Sequence, residues 1–177
     1  MNWLWRGTCW AFGDHVAVDG DMEPLEFAMT RETRLEILRP HFMTGIDPEF
    51  PNKVKAGDII VAGRRFAQGN PHIQGFLGAK AHGVALVVES TPRGSFRNAI
   101  NAGVPILPRC AGVTKEASTG EELEVDFSTG RFRNLTRGTE KSYDPISPAL
   151  LETIALGGWR PAVERRIQAM RADGLIA

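Results

Sequence analysis

The stretch "AQGNPHIQ", residues 67–74, gathers the residue types most able to do chemistry in this chain. Asn70 followed by Pro71 reads as a helix N-cap and first helical residue, which leaves the N–H groups of His72, Ile73 and Gln74 free. Free amides at a helix start suit a carboxylate or phosphate, and Gly69 lets such a ligand approach the backbone closely. His72 stands in the first turn. An imidazole titrates near neutral pH and can act as general base or bind an anion, whereas the Asn70 amide can only orient or polarise. A plainer reading needs no ligand: Asn70-Pro71 starts a helix, Gly69 allows a turn, and His72 lies on the surface.

The elements that must position this loop follow from the apolar pattern. "KAGDIIVAG", "VALVVES" and "VPILP" are buried runs, separated by the helix-like "HIQGFLGAKAHG" and "SFRNAINAG". This βαβαβ order predicts parallel pairing with right-handed crossovers, "DIIVA" beside "ALVVE". The loop then falls between a strand's carboxyl end and a helix's amino end, where open α/β sheets bind ligands. Upstream, "GTCWAFGD" is a strand ending in a turn, and "TRETRLEILRPHF" is a short helical segment with Thr30 as N-cap. Downstream, "ELEVDF-STG-RFRNL" predicts an antiparallel hairpin. Ser147-Pro148 opens a helix that Gly157-Gly158 ends, and a last helix starts at Pro161 with Val163, Ile167 and Met170 on one face. No repeat or linker interrupts the chain, so residues 1–177 read as a single domain with the helices of about 147–175 as an appendage.

Composition removes several functions. The 21 basic residues balance the 21 acidic ones, which argues against nucleic acid as a partner. Cys9 and Cys110 are far apart and encode neither a disulfide framework nor a cluster site. His15, His41 and His82 lack metal-ligand spacing, and His82 is expected at the surface. With no membrane segment and no signal peptide at "MNWLWRGTCWAF", the expectation is a cytoplasmic protein. Trp3, Trp5 and Trp10 are expected to pack the first strand or meet a partner.

Four blocks, "WAFGDHVAVDGDMEP", "DPEFPNKVKAGDIIVAGRRF", "SFRNAINAGVPIL" and "TGEELEVDFSTGRFRNL", resemble successive blocks of the small subunit of 3-isopropylmalate dehydratase, the swivel-domain member of the aconitase superfamily. The resemblance implies an α/β swivel domain: a mixed β-barrel or sheet with flanking helices. It also implies a large-subunit partner that carries a [4Fe–4S] cluster, with no cofactor bound by this chain, and a small hydroxy di- or tricarboxylic acid as substrate.

The likeness breaks at the loop. Where the family reads Gly-Cys-Gly-Ser-Ser-Arg-Glu-His, this chain has Gln68 at the Cys, Gly69 at the Gly, Asn70 at the catalytic Ser, Pro71 at the second Ser and His72 at the substrate-binding Arg. The "DHVAVDGD" turn keeps Asp14 and Asp19, with Val18 in place of a Thr. Glu26 stands where the family places an Arg that selects the substrate's side chain. Arg93, Arg97 and Asn98 are retained. Arg97 and Asn98 read as structural supports, and Arg93 reads equally as support or substrate contact. The expected catalytic residues are therefore His72 and Asn70, with Gly69, Asn70, Pro71, His72, Arg93 and Glu26 around the substrate. Three functions fit: a hydro-lyase subunit acting on a substrate other than isopropylmalate, an aconitase-fold subunit turned to another reaction on an organic acid, or a non-catalytic paralogue.

Overall fold

The computed structural model describes residues 3–176. β1 (Leu4–Phe12) is followed by three short helices, α1 (Leu25–Met29), α2 (Leu35–Leu38) and α3 (Phe50–Lys53), with a 3-10 turn at Arg39–His41 after α2. Alternating strands and helices come next: β2 (Ile59–Ala62), α4 (Gln74–His82), β3 (Ala85–Val88), α5 (Arg93–Ala102) and β4 (Ile106–Leu107). Then α6 (Val113–Glu116) leads into the meander β5 (Glu122–Asp126), β6 (Arg131–Asn134) and β7 (Thr139–Ser142). The chain closes with α7 (Pro148–Ala155) and α8 (Trp159–Ala172).

The result is a mixed α/β fold around a curled seven-stranded sheet of order β4-β3-β2-β1-β5-β6-β7. Strands β1 to β4 pair in parallel, with Val61 opposite Val87 in the β2–β3 pair, as the two buried runs predict. Every residue of β2 and β3 is buried, the pattern of a parallel sheet packed on both faces. The other half, β1 with β5, β6 and β7, is antiparallel. There β5 and β6 alternate buried and less buried positions, the mark of a sheet with one packed face. Buried Asp58 ties the two halves together at β1: it accepts from the Thr8 amide (3.1 Å), the Trp10 Nε1–H (2.8 Å) and the Lys55 amide (2.9 Å).

Aromatic packing closes one face. Phe50 meets Trp10, Phe12 and Phe42 edge-on, at centroid distances of 5.2, 5.5 and 5.8 Å, and Trp5 meets Phe127 at 6.3 Å. All three early tryptophans, Trp3 included, therefore pack against the core. Two glycines of α4 permit a close approach: a Cβ at Gly75 would stand 2.9 Å from the Met22 Cβ, and one at Gly78 would stand 2.3 Å from Glu23 Oε1. The segment after β1 is thereby pressed onto α4.

Several local expectations need correcting. Thr30 ends α1 rather than starting α2; its hydroxyl donates to the Glu26 carbonyl at 2.8 Å, and Arg34 is the residue before α2. Helix α8 begins at Trp159, two residues before Pro161, and none of its residues is buried, Ile167 included. α7 does begin behind Ser147-Pro148, and it buries Leu151 and Ile154. β7, "TEKS", has no apolar alternation to announce it, and all four residues are exposed.

Candidate functional site

The site forms where the chain leaves β1 and β2. Beyond the paired strands the two segments keep bonding: His15 N–H donates to the Arg64 carbonyl, Gln68 N–H to Val16, and Val18 N–H to Gln68, at 2.8 to 3.0 Å. Side chains reinforce this ladder. Gln68 Nε2 donates to the His15 carbonyl at 3.0 Å, and Arg64 forks onto Asp14 at 2.9 and 2.6 Å. The Arg64 hydrogen bonds hold the Asp14 carboxyl below its ordinary value. His15, Arg65 and Ala67 all adopt the left-handed backbone region, at φ of 66°, 57° and 59°. A non-glycine residue costs on the order of 1 kcal/mol there. Strain concentrated on both segments is typical of loops whose geometry serves a ligand.

Helix α4 does not start at Asn70-Pro71. Its first residue is Gln74, with Ile73 at the N-cap position and no side-chain cap. Tertiary contacts override the local signal. The Asn98 side chain donates to the Pro71 carbonyl, and Pro71 packs so tightly on Gly94 that a Cβ there would lie 2.9 Å from the proline's own. The His72 amide turns back to the Asn70 carbonyl at 2.8 Å, so of the three expected free amides only those of Ile73 and Gln74 remain without a partner among the described residues. Gly69, Asn70 and Pro71 are exposed at the tip. Asn98, a structural support on sequence grounds, fills that role.

His72 is drawn to a residue 53 positions upstream. Its Nδ1 lies 2.8 and 3.0 Å from the two carboxylate oxygens of Asp19. An ionised carboxylate only accepts, so Nδ1 carries the proton, which leaves the Nε2 lone pair available to a substrate. The two side chains are about one-third and one-quarter exposed, sheltered yet reachable. A carboxylate that fixes the tautomer and steadies the cation formed on protonation is the arrangement a general base needs. Sequence reasoning noted Asp19 without linking it to His72; the link is tertiary, made when the Ala17–Gln68 bridge brings the two segments side by side.

Glu23, on the same turn, was missed altogether. Its backbone pairs with Asp19, its side chain is 2% exposed, and neither carboxylate oxygen has a hydrogen-bond partner among the described residues. Burial pushes its carboxyl up to about 8. Nothing in "DGDMEP" separates Glu23 from a surface acid.

The other expected site residues are not gathered here. Glu26 lies exposed in the first turn of α1, between Leu25 and Met29, which are exposed as well. Arg93 opens α5 and lines a separate cleft that no loop residue borders. His82, treated as a surface residue when judged by type alone, is 3% exposed: Nε2 bonds the Arg39 carbonyl at 2.8 Å and burial lowers its pKa. Among the described residues no three His, Cys, Asp or Glu side chains group around a metal position. Cys9 and Cys110 are buried, which pushes both thiols up to about 12. No described helix is long and apolar enough to cross a membrane.

No protein-family model matches the chain. Individual relatives do, over nearly its whole length. It is 36% identical over 168 residues to the isopropylmalate/citramalate isomerase small subunit of Methanocaldococcus jannaschii, covering 94% of this chain and 98% of that one. It is 37% identical over 161 residues to the 3-isopropylmalate dehydratase small subunit 1 of Methanopyrus kandleri (90% and 92% covered). It is 38% identical over 159 residues to the methanogen homoaconitase small subunit of Methanothermobacter thermautotrophicus (89% of each). Among solved structures, the crystal structure of 3-isopropylmalate dehydratase from Methanocaldococcus jannaschii superposes with a TM-score of 0.85 at 29% identity, covering 96% of this chain and 99% of that one.

Proposed function

The chain belongs to the family of 3-isopropylmalate dehydratase small subunits, and on that premise we propose that it is the small subunit of a heteromeric hydro-lyase acting on a small hydroxy di- or tricarboxylic acid other than isopropylmalate. The observation that carries the reading is the His72–Asp19 pair. His72 Nε2 takes the proton from the carbon beside a substrate carboxylate, and Asp19 stabilises the imidazolium. The free amides of Ile73 and Gln74 and the exposed Asn70 receive a carboxylate oxygen at the loop. This base replaces the serine alkoxide that the family's loop would supply and that Asn70 cannot become. An intact, oriented base favours an enzyme over a non-catalytic paralogue.

The [4Fe–4S] cluster implied by the family is assigned to a large subunit, because the two buried cysteines here cannot hold one. The exposed Leu25 and Met29 of α1, a few residues beyond the Asp19 turn, supply an apolar surface for that partner. Isopropylmalate is not the expected substrate because Asn70 and His72 stand where the family's loop places the Ser base and the Arg that handle it.

The test is reconstitution with the cluster-bearing large subunit and a screen of hydroxy di- and tricarboxylic acids. With the true substrate, His72→Ala lowers kcat/KM by well over tenfold, and Asp19→Asn lowers kcat and alters its pH profile. Replacing Asn70, Pro71 and His72 by Ser, Ser and Arg does not by itself produce good isopropylmalate turnover. Efficient isopropylmalate isomerisation by the unaltered protein, undiminished in His72→Ala, would overturn the proposal.

A further inference from the structure

A cleft of about 410 Å³ lies on the flank of α5 that faces away from the 67–72 loop. On α5, Gly94, Ser95 and Asn98 touch that loop: Gly94 packs on Pro71, Ser95 Oγ donates to the Ala67 carbonyl at 2.5 Å, and Asn98 donates to the Pro71 carbonyl. Arg93 and Phe96, which line the cleft, stand about half a turn round the helix from those three. The far wall comes from Pro108 and Arg109 after β4 and from Asp144 and Leu150 around the start of α7. The volume lies within the range of small-molecule sites, roughly 300 to 1,000 Å³.

The charges are unequal. Arg109 bonds Asp144 at 3.4 Å, whereas Arg93 has no acidic partner among the described residues. One positive charge is thus left uncompensated at the edge of a largely apolar cleft. A guanidinium presents a fork that matches a carboxylate. A second negative charge on a ligand would find no further free cation among the described residues there, because Arg109 is taken up by Asp144.

We propose that this cleft binds a small organic monocarboxylate with an apolar body, its carboxylate on Arg93 and its body against Phe96, Pro108 and Leu150. This ligand class differs from the di- and tricarboxylic acids proposed for the loop, and the assignment does not depend on that reading.

Isothermal titration of the intact chain with isocaproate, isocaproamide and succinate tests the proposal. Isocaproate binds saturably, and the neutral amide and the dianion bind at least tenfold more weakly. Arg93→Gln, an exposed change at a helix start, weakens isocaproate at least tenfold, whereas His72→Ala leaves it unchanged. Absence of saturable isocaproate binding would overturn the assignment, as would equal affinity for succinate, or loss of binding in His72→Ala with retention in Arg93→Gln. Displacement of bound isocaproate by the cluster-bearing subunit would also overturn it, because the cleft would then be a protein-docking surface.

Discussion

Glu23 makes the stability of this fold depend on pH in the direction opposite to that of an ordinary ion-paired carboxylate. Its carboxyl is raised from 4.5 to about 8 by burial, with no hydrogen bond to offset the loss of water. The folded state therefore holds a proton that the unfolded state releases, and stability falls as pH rises between those two values and levels off above them. Each pH unit in that window is worth about 1.4 kcal/mol, so the full cost is on the order of 5 kcal/mol, with roughly 3 kcal/mol already incurred at pH 7. Against a total stability of about 5 to 15 kcal/mol this is a large share. Glu23→Gln keeps the shape beside Gly78 and removes the titration. It is expected to match the native protein near pH 5 and to exceed it by roughly 2 to 4 kcal/mol at pH 8. Glu23→Leu, with no polar group to desolvate, is expected to be more stable at both. Urea denaturation followed by tryptophan fluorescence at pH 5, 6.5 and 8 measures the difference; other titrating groups, such as His82, cancel in the comparison. A native-to-Gln difference that stays constant with pH, or a Gln variant less stable at pH 8, would refute the reasoning.

Asp58→Ala leaves three donors at the β1–β2 junction unpartnered and is expected to cost about 2 to 4 kcal/mol by the same denaturation assay. His82→Ala opens a cavity beside Phe42 and removes the bond to Arg39, for a loss of roughly 2 kcal/mol, and it is expected to leave kcat of the reconstituted enzyme within a few-fold. Gly94→Ala drives a methyl group into Pro71; kcat/KM is expected to fall several-fold while the urea midpoint moves little, because the loop tip shifts and the core does not.

The parallel half of the sheet was legible because burial on both faces writes itself as unbroken apolar runs, "DIIVA" and "ALVVE", and the β5–β6 hairpin was legible from alternation and a Gly turn. The chain of bonds that makes the site was not. Asn70-Pro71 carries a sound local signal for a helix start, yet Gly94 and Asn98, more than twenty residues away, hold Pro71 in a different conformation. His72 was identifiable by type, but its partner Asp19 becomes a neighbour only through the ladder between residues 14–18 and 64–68. Arg93 looked like a companion of His72 because sequence proximity to a strand end does not say which side of a helix a residue occupies.

The two edges of the sheet carry a consequence for how such a protein stays unaggregated in a crowded cell. At one border β4 offers only Ile106 and Leu107, bracketed by Pro105 and Pro108, which lack an N–H to extend a ladder. At the other, β7 is fully exposed and presents Glu140 and Lys141 to any approaching strand. Neither border is a good template for another chain's strand, so the sheet resists growing into a fibre. Association is thereby steered away from main-chain pairing and toward side-chain recognition, which can be matched to one partner and withheld from others.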